Sequence, residues 1–209
     1  MLKRNKALLF AGGVWVFPGG ALDPEDWRAA GTEEARAARV AAAREAKEEA
    51  GLTVDPELML QISHWTTPVV EPKRFYTWFF LAMSNADSSV EIDGGEIHDY
   101  QWINIAEAVR RHDAGDFGLF PPTIMTLRSL RGYLSAEDAM IGIAARDPFT
   151  VFPVFARATD VMQVLFEGDA GYGNGDPELE GARHRASLVD GVWQYQHQGL
   201  DGIRARLDS

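Results

Sequence analysis

Cysteine is absent from this chain of 209 residues. That excludes thiolate nucleophiles, iron–sulfur clusters, cysteine-ligated zinc and disulfide cross-links, and it fits a reducing compartment. Positive charge is also scarce: 20 Lys and Arg stand against 31 Asp and Glu, a formal net charge of −11. With that field and no basic patch, the chain repels a nucleic-acid backbone, so no nucleic acid is expected as a partner. Long apolar runs are missing too. The N-terminal MLKRNKALLFAGG is too short in apolar residues to span a bilayer and carries no signal-peptide cleavage region. These absences predict a soluble, cytoplasmic protein with no membrane partner. What is present is 46% hydrophobic and 24% charged residues, enough to bury a core without cross-links. A phosphorylated small molecule approaching so acidic a chain would need a metal cation or a few placed arginines.

The residue pattern alternates strand and helix signals and predicts a mixed α/β fold. Ala7–Phe10 and Val14–Phe17 read as short strands around Gly12-Gly13, with Pro18-Gly19-Gly20 as the following turn. Asp23 caps a short helical stretch that ends near Gly31. Glu33 to Ala50 is nearly all strong helix formers, with Thr32 as N-cap and Gly51 where a left-handed residue closes a helix. Ala35, Ala38, Ala42 and Ala46 form a small-residue stripe on it. Leu58–Ile62, Arg74–Met83 and Tyr100–Ile103 read as strands, the second as a central one covered on both faces. Helices follow from Asn104 to Arg111, from Thr123 to Leu134 after Pro121-Pro122, and from the Ser135 cap to Arg146. Val151–Phe155, Val161–Phe166 and Val192–Tyr195 are further strands, with a loop over Gly168–Gly181. The change of character suggests a core over residues 1–135 and an extension over 136–209, packed into the same domain if they share a core.

The strongest chemical signal is Arg44-Glu45-Ala46-Lys47-Glu48-Glu49-Ala50-Gly51-Leu52. On a helix Glu45 lies three positions from Glu48 and four from Glu49, so the carboxylates share a side. Like charges at that spacing repel unless cations neutralise them, and hard carboxylate oxygens suit Mg²⁺ or Mn²⁺. Glu45, Glu48 and Glu49 are therefore candidate metal ligands, and any of them can also help position water. Arg44, four residues before Glu48, can orient it by a salt bridge, while Lys47 faces solvent. Gly19 and Gly20 let backbone approach a ligand.

Taken with Phe17-Pro18-Gly19-Gly20, this stretch resembles the signature of the Nudix hydrolases at Gly20, Arg44, Glu45, Glu48, Glu49, Gly51 and Leu52. The resemblance implies an α/β/α sandwich with a mixed sheet, followed here by a mixed α/β extension. It also implies metal-dependent cleavage of a nucleoside diphosphate linked to another group. Two departures stand out. The spacer between Gly20 and Arg44 is about ten residues longer than usual, and Arg36 occupies the place of the family's first glutamate. In the family a glutamate in a loop before a strand acts as general base or extra metal ligand. Glu96 is that candidate here, with Asp99 and His98 as weaker ones. The five histidines show no zinc-like spacing.

Beyond the signature, the long spacer, His64-Trp65-Thr66-Thr67-Pro68, Arg74 to Phe80 and Pro121-Pro122-Thr123 resemble the coenzyme A diphosphatase-like branch of that family. Gly13 with Phe17-Pro18-Gly19-Gly20 looks like the end of a coenzyme A motif, although Leu9 stands where an arginine is expected. The substrate implied is coenzyme A or a derivative, a small-molecule nucleotide diphosphate. ADP-ribose, NADH, a nucleotide sugar, or binding without turnover remain as alternatives. Arg74 is a candidate phosphate contact, and Trp65 or Trp78 could stack on adenine. Only Met1 to Arg4 precede Asn5, so the expectation is either a core truncated at the N-terminus or a sheet edge left open to a second copy, which makes a homodimer an expectation.

Overall fold

The computed structural model describes residues 1–8, 12–67, 75–84, 89–92, 94–156 and 160–200. Along the chain come β1 (Leu2–Arg4), β2 (Trp15–Val16), α1 (Pro24–Ala30), α2 (Glu34–Ala50), a 3-10 turn (Pro56–Leu58), β3 (Leu60–Thr66), β4 (Tyr76–Leu81) and β5 (Ile97–Tyr100). Then follow α3 (Ile105–Asp113), α4 (Pro121–Leu130), α5 (Ala136–Ala144), β6 (Phe149–Val151), β7 (Val154–Phe155), β8 (Gln163–Leu165), β9 (Arg183–Val189) and β10 (Val192–Gln198). These form two compact units built from separated segments. The first takes Met1–Ile62, Phe80–Asn104 and Leu134–Arg146; the second takes Ser63–Phe79, Ile105–Tyr133 and Asp147–Ser209.

In the first unit β1 is the middle strand of an antiparallel sheet ordered β2-β1-β5. Leu2, Ala50 and Ile97 form its buried centre, with Val16, Leu52, Val90 and Ile92 around them. A methyl group at residue 50 lets the end of α2 pack closely, and Gly51 then turns the chain at φ 68°. The Gly51 N–H donates to the Lys47 carbonyl (2.9 Å) and the Leu52 N–H to that of Ala46 (3.1 Å). The first strand is thus Leu2–Arg4, and of the stretch Ala7–Phe10 only Ala7 and Leu8 are described. Three residues suffice because both neighbours pair with them, whereas Ala7 is in a turn whose N–H reaches Asn5 Oδ1 (3.1 Å). Leu9 and Phe10 lie outside the described residues. The same pairing puts β5 at Ile97–Tyr100 rather than Tyr100–Ile103. On α2 the N-cap is Glu33, without a side-chain cap bond, instead of Thr32. Its buried face runs through Ala37, Ala38, Ala41, Ala46, Glu49 and Ala50, while Ala35 and Ala42 are half-buried.

A mixed sheet is ordered β4-β3-β6, and the second unit holds a four-stranded sheet ordered β10-β9-β8-β7. β6 runs parallel to β3, pairing Ser63 with Phe149 and Trp65 with Val151, so a strand past residue 135 completes a sheet begun before it. Among the described residues β4 ends its sheet, and Phe75 and Tyr76 are 48% and 54% exposed. Aromatic density there does not mean burial on two faces. β9, unforeseen because Arg183, His184 and Arg185 break any apolar alternation, pairs along its whole length with β10. α4 starts at Pro121, since a proline in the first turn gives up no hydrogen bond the helix needs. His112 of α3 is buried with its two ring nitrogens 3.0 Å from the Phe117 carbonyl oxygen and 2.8 Å from that of Trp193.

Asp169 and Arg185 form a buried, two-point ion pair, Nη2 to Oδ1 at 2.6 Å and Nε to Oδ2 at 2.7 Å. Backbone N–H groups of Gly171 and His184 donate to the same two oxygens. Burial alone would raise the Asp169 carboxyl, but Arg185 and these N–H groups outweigh it and hold it below its ordinary value of 3.8. Asp169→Ala is expected to cost about 3–5 kcal/mol, because it strands a buried guanidinium. A depressed folded-state carboxylate contributes stability above its unfolded pKa and loses it as pH falls through the folded one. Urea unfolding of wild type and variant should therefore differ fully at neutral pH and converge only below the ordinary carboxylate range.

Candidate functional site

All the described groups of the site belong to the first unit. After β2 the chain passes through Phe17-Pro18-Gly19-Gly20, and this turn sits on the last turns of α2. The Gly19 N–H donates to Glu49 Oε2 at 2.9 Å. A Cβ built on Gly20 would overlap the Glu45 carboxylate, whereas one on Gly19 meets nothing within 4 Å. Gly20 is a glycine for space and Gly19 is not.

Arg44 is the hub. Its Nη1 donates to Glu45 Oε1 (2.8 Å) and Glu48 Oε2 (3.0 Å). Nη2 donates to the Ala21 carbonyl (3.0 Å) and to Asp26 Oδ2 (3.0 Å), and Nε to Asp26 Oδ1 (3.2 Å). Asp23 Oδ2 stands 3.6 Å from Nε. Asp26 is 2% exposed. Burial pushes its carboxyl up, but the Arg44 hydrogen bonds and the Asp23 N–H more than reverse that and leave it lowered. It also closes the capping box of α1: Asp23 Oδ1 accepts from the Asp26 N–H, and Asp26 Oδ2 from the Asp23 N–H (2.9 Å). Arg36, by contrast, points away and pairs with Glu57 at 3.0 Å.

The three helix carboxylates do not share one environment. The Glu48 side chain is 58% exposed, that of Glu45 15%, and Glu49 is buried. Burial pushes Glu49 up to about 7; the Gly19 N–H opposes this, and charge repulsion from Glu45 and Glu96 adds to it. Glu96 is exposed and pairs with Arg4 of β1, Nη2 to Oε1 at 2.5 Å, while its carbonyl accepts from the Asn5 N–H (2.8 Å). Asp99 and His98 are exposed on β5.

Of the residues named from sequence, Gly19, Gly20, Arg44, Glu45, Glu48 and Glu49 come together, and Lys47 is exposed as expected. Trp65 is 4% exposed and meets Phe166 edge-on at 5.9 Å, so its ring is core rather than an open stacking surface. Trp78 stacks on His64 at 4.6 Å. Arg74 lies outside the described residues. Sequence reasoning missed Arg4 and Asp26. The signal for Arg4 was a basic residue closing a short strand ahead of the glycine turn. Asp26 stands three residues after the Asp23 cap, and its pairing with Arg44, eighteen positions along the chain, has no local signal.

Among the described residues, no three His, Asp or Glu side chains stand together in an arrangement that would hold an ion. Arg44 occupies Glu45 and Glu48, and a backbone N–H takes up Glu49. The donor set is nevertheless all carboxylate oxygen. Glu49 is buried, and Glu45 and Glu96 repel its charged form, so a neutralising partner among these acids fits a hard divalent cation.

The NUDIX domain family matches residues 1–121 of the chain. Nudix hydrolase 7 of Caenorhabditis elegans is 27% identical over 207 aligned positions, covering 82% of this chain and 68% of that protein. The acyl-coenzyme A diphosphatase NUDT19 of Xenopus laevis is 28% identical over 128 positions, covering 58% of this chain and 33% of that protein. The crystal structure of a NUDIX hydrolase from Alicyclobacillus acidocaldarius superposes with a TM-score of 0.61 at 25% identity, covering 67% of this chain and 86% of that one. The chain belongs to the Nudix family. It has the α/β fold of that family and is a diphosphohydrolase acting on a phosphoanhydride bond of a small molecule, in a family that generally uses divalent metal. Among the described residues no helix is long and apolar enough to cross a membrane.

The contrast between the two glycines is testable. Gly20→Ala moves the Glu45 carboxylate, the end of a flexible side chain, away from Arg44 and should cost about 1 kcal/mol through that lost contact, whereas Gly19→Ala should lie within about 0.5 kcal/mol of wild type in urea unfolding.

Proposed function

We propose that this chain hydrolyses coenzyme A or a derivative, with Glu45, Glu48 and Glu49 holding Mg²⁺ or Mn²⁺. The observation that carries the metal assignment is the acid group at the end of α2, where Glu49 is buried against repulsion from Glu45 and Glu96. A divalent cation held there by Glu45, Glu48 and Glu49 would supply positive charge against the phosphate and acidify water. The chain's own groups supply the rest. Arg44 aligns Glu45 and Glu48, and the Gly19 N–H fixes Glu49. Gly19-Gly20 lets backbone approach the diphosphate. Glu96, exposed beside Arg4, takes the proton of the attacking water. The water oxygen bonds to one phosphorus as the bond from that phosphorus to the bridging oxygen breaks, and the second phosphate leaves on its ester. From coenzyme A the products are a phosphorylated adenosine and phosphopantetheine. Arg74 is assigned from sequence as a phosphate contact.

Similarity to the frog acyl-coenzyme A diphosphatase supports this substrate. A panel of coenzyme A, an acyl-coenzyme A, ADP-ribose, NADH and a nucleotide sugar, assayed with Mg²⁺ and Mn²⁺ and read by mass spectrometry, tests it. Coenzyme A or its acyl ester should turn over fastest, and Glu48→Gln and Glu49→Gln should each lower kcat by on the order of 100-fold. Turnover unaffected by both substitutions sinks the metal site. Preferential cleavage of ADP-ribose or NADH replaces the substrate, and tight nucleotide binding without metal-dependent cleavage makes the chain a binding module.

A further inference from the structure

We infer that Asp26 is a positioning residue for the acidic helix, acting through Arg44 and supplied by the expanded segment between the glycine turn and α2. The inference rests on the metal-site reading above. Arg44 has one side devoted to anchoring and one to the site: Nε and Nη2 meet Asp26 and the Ala21 carbonyl, and Nη1 alone meets Glu45 and Glu48. A planar guanidinium held at two points on one edge has little freedom at the other. Without that anchor the side chain is free to follow either glutamate into solvent.

Asp26 is itself held. Its place in the capping box fixes its rotamer, and burial at 2% exposure removes competing water. A cap needs only an acceptor at this position, so capping alone does not explain a buried charge. The acids upstream of Arg44 that pair with it, Asp23 and Asp26, both come from the expanded segment. Within α2, Arg36 pairs instead with Glu57. The expansion therefore contributes a working part of the site.

The decisive variant is Asp26→Asn, which keeps an acceptor for the Asp23 N–H but removes the charge. Mn²⁺ binding by titration calorimetry, kcat and KM on the diphosphate cleaved best in the panel, and the thermal midpoint are measured together. The expected result is a loss of about 10–100-fold in Mn²⁺ affinity and in kcat, the scale seen when groups that orient metal ligands are removed, with KM little changed. Asp26→Glu, which keeps the charge, should recover most of both. Glu25→Gln, on the exposed face of α1, should change neither. A lowered thermal midpoint with wild-type Mn²⁺ affinity and kcat overturns the inference and leaves Asp26 a purely structural residue. Should Asp26→Asn not fold, Arg44→Lys carries the test, since a lysine keeps the charge but cannot bridge these partners. Wild-type Mn²⁺ affinity in that variant also overturns it. If Glu48→Gln and Glu49→Gln leave metal binding and turnover intact, the metal-site reading has failed and this inference falls with it. If those two lose activity and Asp26→Asn does not, only the role of Asp26 has failed.

Discussion

The rest of this site depends on one cation among carboxylates. Arg44 touches Asp26, Glu45, Glu48 and the Ala21 carbonyl, and so joins α1, the turn before it and the end of α2. Two carboxylates about 4 Å apart repel by about 4 kcal/mol at an effective dielectric of 20. Several of them on adjacent turns exceed what helix propensity can offset, which is a few tenths of a kcal/mol per residue. A guanidinium is suited to the task because its donors point in fixed directions and it stays charged when half-buried. Its proton is held more firmly than usual, first by the hydrogen bond to Asp26 and then by Glu45. The hub leaves Glu49 outside its reach, against Gly19, and there the shortage of positive charge persists.

Much of the frame around that hub was legible in sequence, for local reasons. Gly51 closes α2 because only glycine takes its left-handed turn without strain, and Asp23 and Ser135 cap helices because their side chains reach N–H groups two or three residues on. What was not legible depends on partners far along the chain. β1 is three residues long and exists because β2 and β5 flank it. β9 carries Arg183, His184 and Arg185 where an isolated strand would show alternation, and the Arg185 charge is met by the buried Asp169. β4 is rich in aromatics yet partly exposed, since hydrophobicity states a preference for burial and not the number of faces that find a neighbour.

The same distinction runs through the site. The glutamates and glycines were readable because they stand at fixed spacing on one helix and one turn. Trp65 was misleading because an aromatic ring suits an adenine and a core equally well, and here it is core. Arg4 and Asp26 carried no helical spacing to reveal them. One pairs with Glu96 across a sheet, the other with Arg44 across a helix pair.

The departure at Arg36 takes on a different meaning in three dimensions. Read along the chain, an arginine where the signature has a glutamate is a lost ion-pair partner. In the fold, α2 begins at Glu34, so residue 36 lies more than two helical turns before Arg44 and its side chain meets Glu57. A glutamate there would face the wrong region of the helix. The acid that meets Arg44 arrives instead on α1, a separate helix with its own cap, formed by the residues that lengthen the spacer. The longer spacer and the arginine at position 36 are thus compatible with an anchored Arg44, because the buried acid reaches it from α1 rather than from the start of α2.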